Sequence, residues 1–227
     1  MNYPGKELEN FDKAIFWRAY IYRQIKKFIN KNVLEVGAGI GSFTKNYQNN
    51  IKHATLTEID SKNYNILKKK FKKKKYLILN RTTKKINKRF DTIMYLNVLE
   101  HIRDDKKELK IALSKLKKNG YLIILVPAHN NLYSKFDKAV GHFRRYEISF
   151  FHSLKFNNAK VIKCYFLDSI GYFLYFLNQL FFKKETYPSY FKIFVWDRIF
   201  TPISMILDGI LLKKFGKNIL YVLKKTK

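Results

Sequence analysis

Three glycines at alternate positions, Gly37, Gly39 and Gly41, follow the apolar residues Val33, Leu34 and Val36, a run that holds one acid, Glu35. A buried strand passing through a glycine turn into a helix is a nucleotide-binding device. The glycines let backbone approach a ligand closely, and the helix start offers free N–H groups. Two ligands compete for such a loop. A dinucleotide fingerprint needs G-x-G-x-x-G, but here Ser42 stands at the third glycine position and Gly41 comes one residue early. S-adenosylmethionine (SAM) carries an ammonium and a sulfonium and no pyrophosphate. A carboxylate beside the loop, here Glu35, suits that positive end and repels a diphosphate.

Further along, Glu58 closes an apolar-alternating stretch, His53 to Glu58, about 20 residues past the glycines, where an acid can accept both hydroxyls of a ribose. Asp60 is its rival, and either Asp60 or Ser61 can cap the helix that follows. Asn97 to His101 sits after another apolar run, at the end of a strand where open sheets bind ligands. From Pro127 to Tyr146 the chain concentrates His129, Tyr133, His142, Arg144, Arg145 and Tyr146. With His101, the histidines His129 and His142 are candidates to take a proton from an acceptor hydroxyl. Each reads equally as a structural histidine. Arg144 and Arg145 suit a carboxylate or phosphate, or the pinning of a lid through backbone carbonyls.

The elements that must position these groups follow from periodicity. Glu7 to Phe28 has helical spacing and should cover one side of the loop. Strands are expected at Val33–Val36, His53–Glu58, Tyr76–Leu79, Ile93–Leu96 and Tyr121–Val126, with helices at Phe43–Gln48, from Asp60 or Ser61 to Phe71, and at Asp104–Leu116. Lys118-Asn119-Gly120 reads as a turn. This alternation predicts an α/β, doubly wound parallel sheet with the ligand loops along one edge. Ala159–Phe166 and Asn218–Leu223 read as two more strands.

E-V-G-A-G-I-G resembles motif I of the class I SAM-dependent methyltransferases, and F-D-T-I-M-Y-L-N-V-L-E-H-I resembles motif IV and the turn after it. V-P-A-H-N-N-L-Y followed by G-H-F-R-R-Y is similar to a bacterial subgroup of that family, the type 11/12-like methyltransferases. The resemblance implies a Rossmann-like seven-stranded sheet whose strands 6 and 7 form an antiparallel edge pair. It implies SAM as cofactor, with Glu35, Gly37, Gly39 and Gly41 at its methionine end, Glu58 on ribose, Asn80 and Arg81 flanking adenine, and Asn97 closing over the methyl group. Asn80 departs from the aspartate usual there. Tyr133, Arg144, Arg145 and Tyr146 are then the acceptor-binding candidates.

Residues 168–216 would be a helical insertion between strands 6 and 7. The expected organisation is a helical cap over 1–30, a cofactor-binding core over 31–167, the insertion, and a last strand with a basic tail over 217–227. Asp168–Lys184 and Tyr190–Lys214 are aromatic and apolar, flanked by lysine, and too interrupted to span a bilayer. They fit helices lying in an anionic membrane interface, or a helical cap or dimer surface.

The 227-residue chain is 47% hydrophobic and 17% aromatic, which excludes a disordered protein. One cysteine, Cys164, excludes an internal disulfide, and no zinc-ligand spacing is present, so no metal is expected. A net charge of +29 points to an anionic partner, although much of it can lie on solvated faces. Met1 to Glu7 lacks the apolar segment of a signal peptide. The function expected is methyl transfer, at oxygen, to a small-molecule or lipid- or glycan-linked acceptor by a cytoplasmic enzyme, peripheral on the inner face of the membrane. An RNA methyltransferase and a non-catalytic membrane-anchoring subunit are the alternatives. The oligomeric state is not legible.

Overall fold

The structure, a computed structural model, describes residues 8–181 and 187–227. Glu7, where the first helix was expected to begin, and Phe182–Lys184 of the insertion lie outside them. Seven strands form one sheet: β1 (Asn32–Val36), β2 (His53–Thr57), β3 (Tyr76–Leu79), β4 (Phe90–Leu96), β5 (Leu116–Pro127), β6 (Ala159–Leu167) and β7 (Asn218–Lys225), in the order β3-β2-β1-β4-β5-β7-β6. The first five are parallel, and β7 runs antiparallel between β5 and β6. The order reverses between β1 and β4, which is where such sheets open a ligand crevice. Register aligns that edge: Val36 faces Thr57 on one side and Tyr95 on the other.

The central strands are apolar on both faces, as a doubly covered sheet requires. One face buries Leu34, Ile93, Leu122, Ile124 and Tyr221 under α5 (Asp105–Ser114) and its neighbours. The other buries Val33, Met94, Ile123 and Leu220 under α2 (Ile15–Ile25). Between β1 and β3 lie α3 (Thr44–Tyr47) and α4 (Ser61–Lys70). As expected, Asp60 caps α4, accepting from the Asn63 N–H at 2.7 Å.

Three elements differ from the sequence reading. The N-terminal helix breaks at Asp12–Ala14 into α1 (Leu8–Phe11) and α2. The break places the start of α2 against Asp197, whose carboxylate accepts from the N–H groups of Phe16 and Trp17 at 3.2 and 2.8 Å. A distant carboxylate thus caps a helix whose own N-cap, Ala14, has no side-chain oxygen. Lys118-Asn119-Gly120 is a bulge inside β5, which starts at Leu116 and pairs there with Phe90. A Cβ at Gly120 would stand 2.9 Å from two carbonyl oxygens. Correspondingly, α5 stops at Ser114, short of Leu116.

Between β5 and β6 are α6 (Lys135–Ala139) and α7 (Ile148–Ser153), and between β6 and β7 are α8 (Ser169–Phe181), α9 (Tyr190–Val195), a π turn (Trp196–Phe200) and α10 (Thr201–Ile210). This insertion is tied to the core by buried carboxylates. Asp208 accepts from Tyr20 Oη and from the N–H groups of Asp168 and Ser169. Asp168 accepts from Ser204 Oγ and Trp196 Nε1 and pairs with Lys217 at 3.2 Å. The burial of α10 is inverted: Thr201, Ser204 and Asp208 face inward, while Ile203, Ile206 and Ile210 face out.

Candidate active site

A cavity of about 940 Å³ opens at the sheet edge beside the crevice. One end is the glycine loop. Gly37, Gly39 and Gly41 all have positive φ, between 54° and 78°, a region that side chains disfavour. Gly37 and Gly41 are also required by packing, because a Cβ would come within 2.7 Å of Val98 and 2.2 Å of the Phe71 ring. Gly39 is different: its nearest neighbour would be Leu8 at 3.7 Å, and it lines the cavity. The loop backbone is therefore bare where a ligand would lie against it.

Glu35, on β1, is buried in the cavity wall. Its Oε2 accepts from Thr44 Oγ1 and Tyr47 Oη, both at 2.6 Å. Burial pushes its carboxyl up to about 7 against the opposing pull of those two hydroxyls. Such a group is completed by a positive ligand. Glu58, just past β2, accepts from the Gly39 N–H at 2.9 Å and the Asp60 N–H at 2.8 Å; burial raises its carboxyl too. Asn80, after β3, donates to the carbonyls of Glu58 and Ile59 at 2.8 and 3.1 Å, leaving its own amide oxygen as an acceptor. Arg81 is exposed. Glu58, Asn80 and Arg81 stand along the strand ends rather than on the cavity wall. Asn97 lines the cavity at the end of β4 with φ 54°, a conformation asparagine tolerates better than other side chains. A bare glycine backbone, a buried acid at one end and a diol-sized carboxylate at the other fit SAM.

The other end of the cavity holds a polar cluster. Glu100 and His101 lie on a 3₁₀ turn, Leu99–His101, after β4. His142 arrives from the segment after α6. Its Nδ1 donates to Asp137 Oδ1 at 2.8 Å, and its Nε2 stands 3.9 Å from Glu100 Oε1. Asp137 also accepts from Arg145 Nε, Ser134 and Tyr175 Oη. Burial alone would raise the Asp137 carboxyl; the bond from His142 and the Arg145 charge hold it well below the usual carboxylate range. His101 packs edge-on to His142 with ring centroids 4.6 Å apart, and its Nδ1 is 3.3 Å from the Gly141 carbonyl. Burial, then repulsion from His142, lowers it to about 4. Glu100 is 0% exposed, neither carboxylate oxygen has a hydrogen-bond partner, and burial raises it to about 7. Tyr133 Oη donates to the His142 carbonyl at 2.6 Å and lines the cavity with Arg145, whose guanidinium lies over the Tyr175 ring. Much of the remaining wall is apolar, from Trp17, Leu174, Phe191, Val195 and Phe200, with Arg18, Lys192 and Lys217 among the charged residues that also line it.

Three candidates from the sequence stand elsewhere. His129 Nε2 is 3.0 Å from the Gly216 carbonyl and its ring stacks on Phe166, which fixes the junction of β5 with the insertion. Arg144 bonds Asp105 and the Arg103 carbonyl. Tyr146 is buried on Asp105 and the Leu99 carbonyl. The arginine pair therefore splits, with Arg145 at the cavity and Arg144 pinning the segment. Sequence reading passed over Glu100 and Asp137. Glu100 stands next to His101 in L-E-H-I. Asp137 closes a capping box with Ser134, a local pattern that hides its longer-range partners.

The methyltransferase-domain family matches residues 15–165. No curated protein sequence matches the chain. Among solved structures, a SAM-dependent methyltransferase from Clostridium acetobutylicum superposes with a TM-score of 0.60 at 15% identity, covering 97% of this chain and 96% of that one. The N-methyltransferase NodS from Bradyrhizobium japonicum, in complex with S-adenosyl-L-homocysteine, gives 0.62 at 12% identity, covering 98% and 94%. Coclaurine N-methyltransferase, bound to N-methylheliamine and S-adenosyl-L-homocysteine, gives 0.62 at 14%, covering 93% and 72%. With the sheet order, the glycine loop and the acids at β1 and β2 in place, the chain belongs to the methyltransferase-domain family and is a class I SAM-dependent methyltransferase.

Proposed function

We propose that this enzyme methylates a hydroxyl on an acceptor with an apolar body, a lipid-linked or hydrophobic small molecule, taken from the inner face of an anionic membrane. The observation that carries the reading is the continuity of one cavity from the glycine loop, past a His–Glu cluster, to a wall of aromatic and aliphatic side chains from the insertion. Its volume is near the top of the roughly 300–1,000 Å³ range of small-molecule sites, room for a cofactor and part of an acceptor together.

In this reading Gly37, Gly39, Gly41 and Glu35 hold the methionine end, Glu58 the ribose, and Asn80 with Arg81 the adenine. SAM bound there supplies an electrophilic methyl group on a sulfonium. The residues of the chain align the acceptor oxygen with it and exclude water. Asn97 closes the methyl end. His101, His142 and Glu100 form the acceptor-activating group, where the hydroxyl gives up its proton. Tyr133 and Arg145 hold the polar head of the acceptor. His129, Arg144 and Tyr146 keep structural roles.

The membrane part rests on α10. An amphipathic helix in a globular protein turns its apolar face inward; this one turns Ile203, Ile206 and Ile210 outward, and Phe191 and Leu212 nearby are each 71% exposed. Among the described residues no helix is long and apolar enough to cross a membrane. An apolar face on a chain of charge +29 suits an interface of anionic lipid.

Transfer from labelled SAM to a total lipid and metabolite extract, with total RNA as a parallel substrate, tests the reading. A labelled, base-stable methyl ether in the organic phase is the expected result. Label confined to RNA would replace the reading with nucleic-acid methylation. No SAM binding by calorimetry would favour a non-catalytic subunit.

A further inference from the structure

We propose that Glu100, His101 and His142 form a binding site for a divalent transition-metal ion. One ligand atom from each lies within 4.8 Å of the other two. The three side chains come from two segments that the fold brings together: the turn after β4, and the segment after α6, which is held there by the Phe143 N–H donating to the Glu100 carbonyl at 2.8 Å.

Glu100 is the group that points to an ion. Its carboxylate is fully buried, and neither oxygen has a hydrogen-bond partner. His142 Nε2, at 3.9 Å, is beyond hydrogen-bond reach. A buried carboxylate left in that condition is strongly unfavourable, and buried charges are as a rule paired or coordinated. An ion between Glu100 and the imidazoles answers this directly.

His142 is oriented as a metal ligand is. His142 turns Nδ1 to Asp137 at 2.8 Å and Nε2 toward Glu100. Asp137 is in turn fixed by Arg145, Ser134 and Tyr175. This is the carboxylate–histidine–metal arrangement that sets tautomer and ring orientation. His101 places Nδ1 against the Gly141 carbonyl. A carbonyl only accepts, so the proton of a neutral imidazole lies on Nδ1 and the lone pair on Nε2. Two imidazoles and a carboxylate suit Zn²⁺, Co²⁺ or Fe²⁺, whereas Mg²⁺ and Ca²⁺ prefer oxygen ligands. At bond lengths of about 2.1 Å, tetrahedral ligands stand about 3.4 Å apart. The His142–Glu100 pair, at 3.9 Å, then closes by about 0.5 Å. Three protein ligands leave a position open to the cavity. An acceptor oxygen taking that position would be acidified by the ion. That role rests on the proposed function; binding of the ion does not.

The test uses the full-length protein, stripped with a chelator and titrated with Co²⁺, read by calorimetry and by the visible absorption of the bound ion. The expected result is one ion per chain with the absorption of a low-symmetry nitrogen and oxygen site. Glu100→Gln and His142→Ala should each weaken binding at least tenfold, and Asp137→Asn about 10- to 100-fold. Replacing the exposed His53 and His152 together should leave it unchanged. Glu100→Gln is the decisive variant, because it is nearly isosteric and removes a buried carboxylate that has no hydrogen-bond partner, so it keeps the fold; SAM binding confirms that. Absence of one-per-chain binding, or binding that survives Glu100→Gln or is lost with His53 and His152, overturns the site. Co²⁺ binding without methyl transfer to any extract component counts against the proposed acceptor and leaves the metal site standing.

Discussion

The cofactor and acceptor sides of the site are built by different means. On the cofactor side the polar partners are close in the chain: Tyr47 reaches Glu35 across 12 residues, Glu58 reaches Gly39 across 19, and Asn80 reaches Glu58 across 22. They are consecutive β–α units, with their ends aligned by parallel register. On the acceptor side Tyr175 reaches Asp137 across 38 residues and His101 reaches Gly141 across 40. The insertion is fastened to α2 by Trp17–Asp197 and Tyr20–Asp208 bonds across 180 and 188. The first half is a backbone device that a local sequence pattern can encode. The second depends on side-chain networks that exist only once the fold has closed.

Asp137→Asn should strike the second half hardest. Asp137 is buried against Arg145 and His142, and removing one partner of such a pair costs about 3–5 kcal/mol. For a chain of this size that is a fall in Tm of about 10 °C, read by thermal unfolding. If the halves are independent, SAM affinity below the transition stays within about 0.5 kcal/mol of the wild type. A large loss of SAM affinity would show that the lid network reaches the glycine loop.

Glu35 offers the converse test, with a pH signature. Its folded-state value of about 7 lies above the ordinary 4.5 of a glutamate. A raised carboxyl stabilises the fold below the unfolded value, and that contribution is lost as pH rises through about 7. The cofactor-free wild type should lose about 3 kcal/mol more than Glu35→Gln between pH 4.5 and 8, measured by denaturant unfolding of both proteins at each pH. Groups shared by the two cancel in the difference. Bound SAM should shrink the gap, since its positive end favours the ionised carboxylate. Equal pH profiles for the two proteins would mean that Glu35 is already ionised when folded.

Legibility in the sequence follows the same division. The strands, their parallel order and the glycine loop were readable because each is a short pattern: an apolar run, alternate glycines, an acid at a fixed distance. Of Asp60 and Ser61, the two candidate caps, Asp60 caps α4, a role that is local and so legible. The break at Asp12–Ala14 was not readable, because what caps α2 there is Asp197. Nor could the arginine pair be split, since the partners of Arg144 and Arg145, Asp105 and Asp137, lie on different segments. The His–Glu cluster has no metal-ligand spacing in the sequence, because two of its members are adjacent and the third lies on another segment.

Glu58→Ala sharpens the cofactor side at a smaller scale. Two backbone N–H bonds to the carboxylate disappear with it, those of Gly39 and Asp60, together with the ribose contact proposed for it. A loss of about 2 kcal/mol in SAM binding is expected, roughly a 30-fold rise in Kd by calorimetry. Because Asp60 still caps α4, the melting temperature should move far less than in Asp137→Asn. A change in Kd below about threefold would take ribose recognition away from Glu58.

The smallest effect expected per residue concerns the outer surface of the insertion. Ile206 and Ile210 are 67% and 68% exposed on α10, opposite the inward Ser204 and Asp208. Replacing them buries nothing new and uncovers nothing, so Ile206→Glu and Ile210→Glu should each leave the folding stability within about 0.5 kcal/mol of the wild type. Transfer of one such side chain to a bilayer interface contributes on the order of 1–2 kcal/mol. Each substitution should therefore lower the fraction sedimenting with anionic vesicles by about tenfold in partition coefficient, and the double variant by more. Salt should weaken the wild type as well, because screening removes the lysine contribution and leaves the apolar one. A purely electrostatic association would respond to salt and ignore Ile206. A self-association surface would lose its dimer on substitution, read by analytical ultracentrifugation without lipid, and bind vesicles as before. Only a face that enters lipid responds to both the salt and the isoleucines.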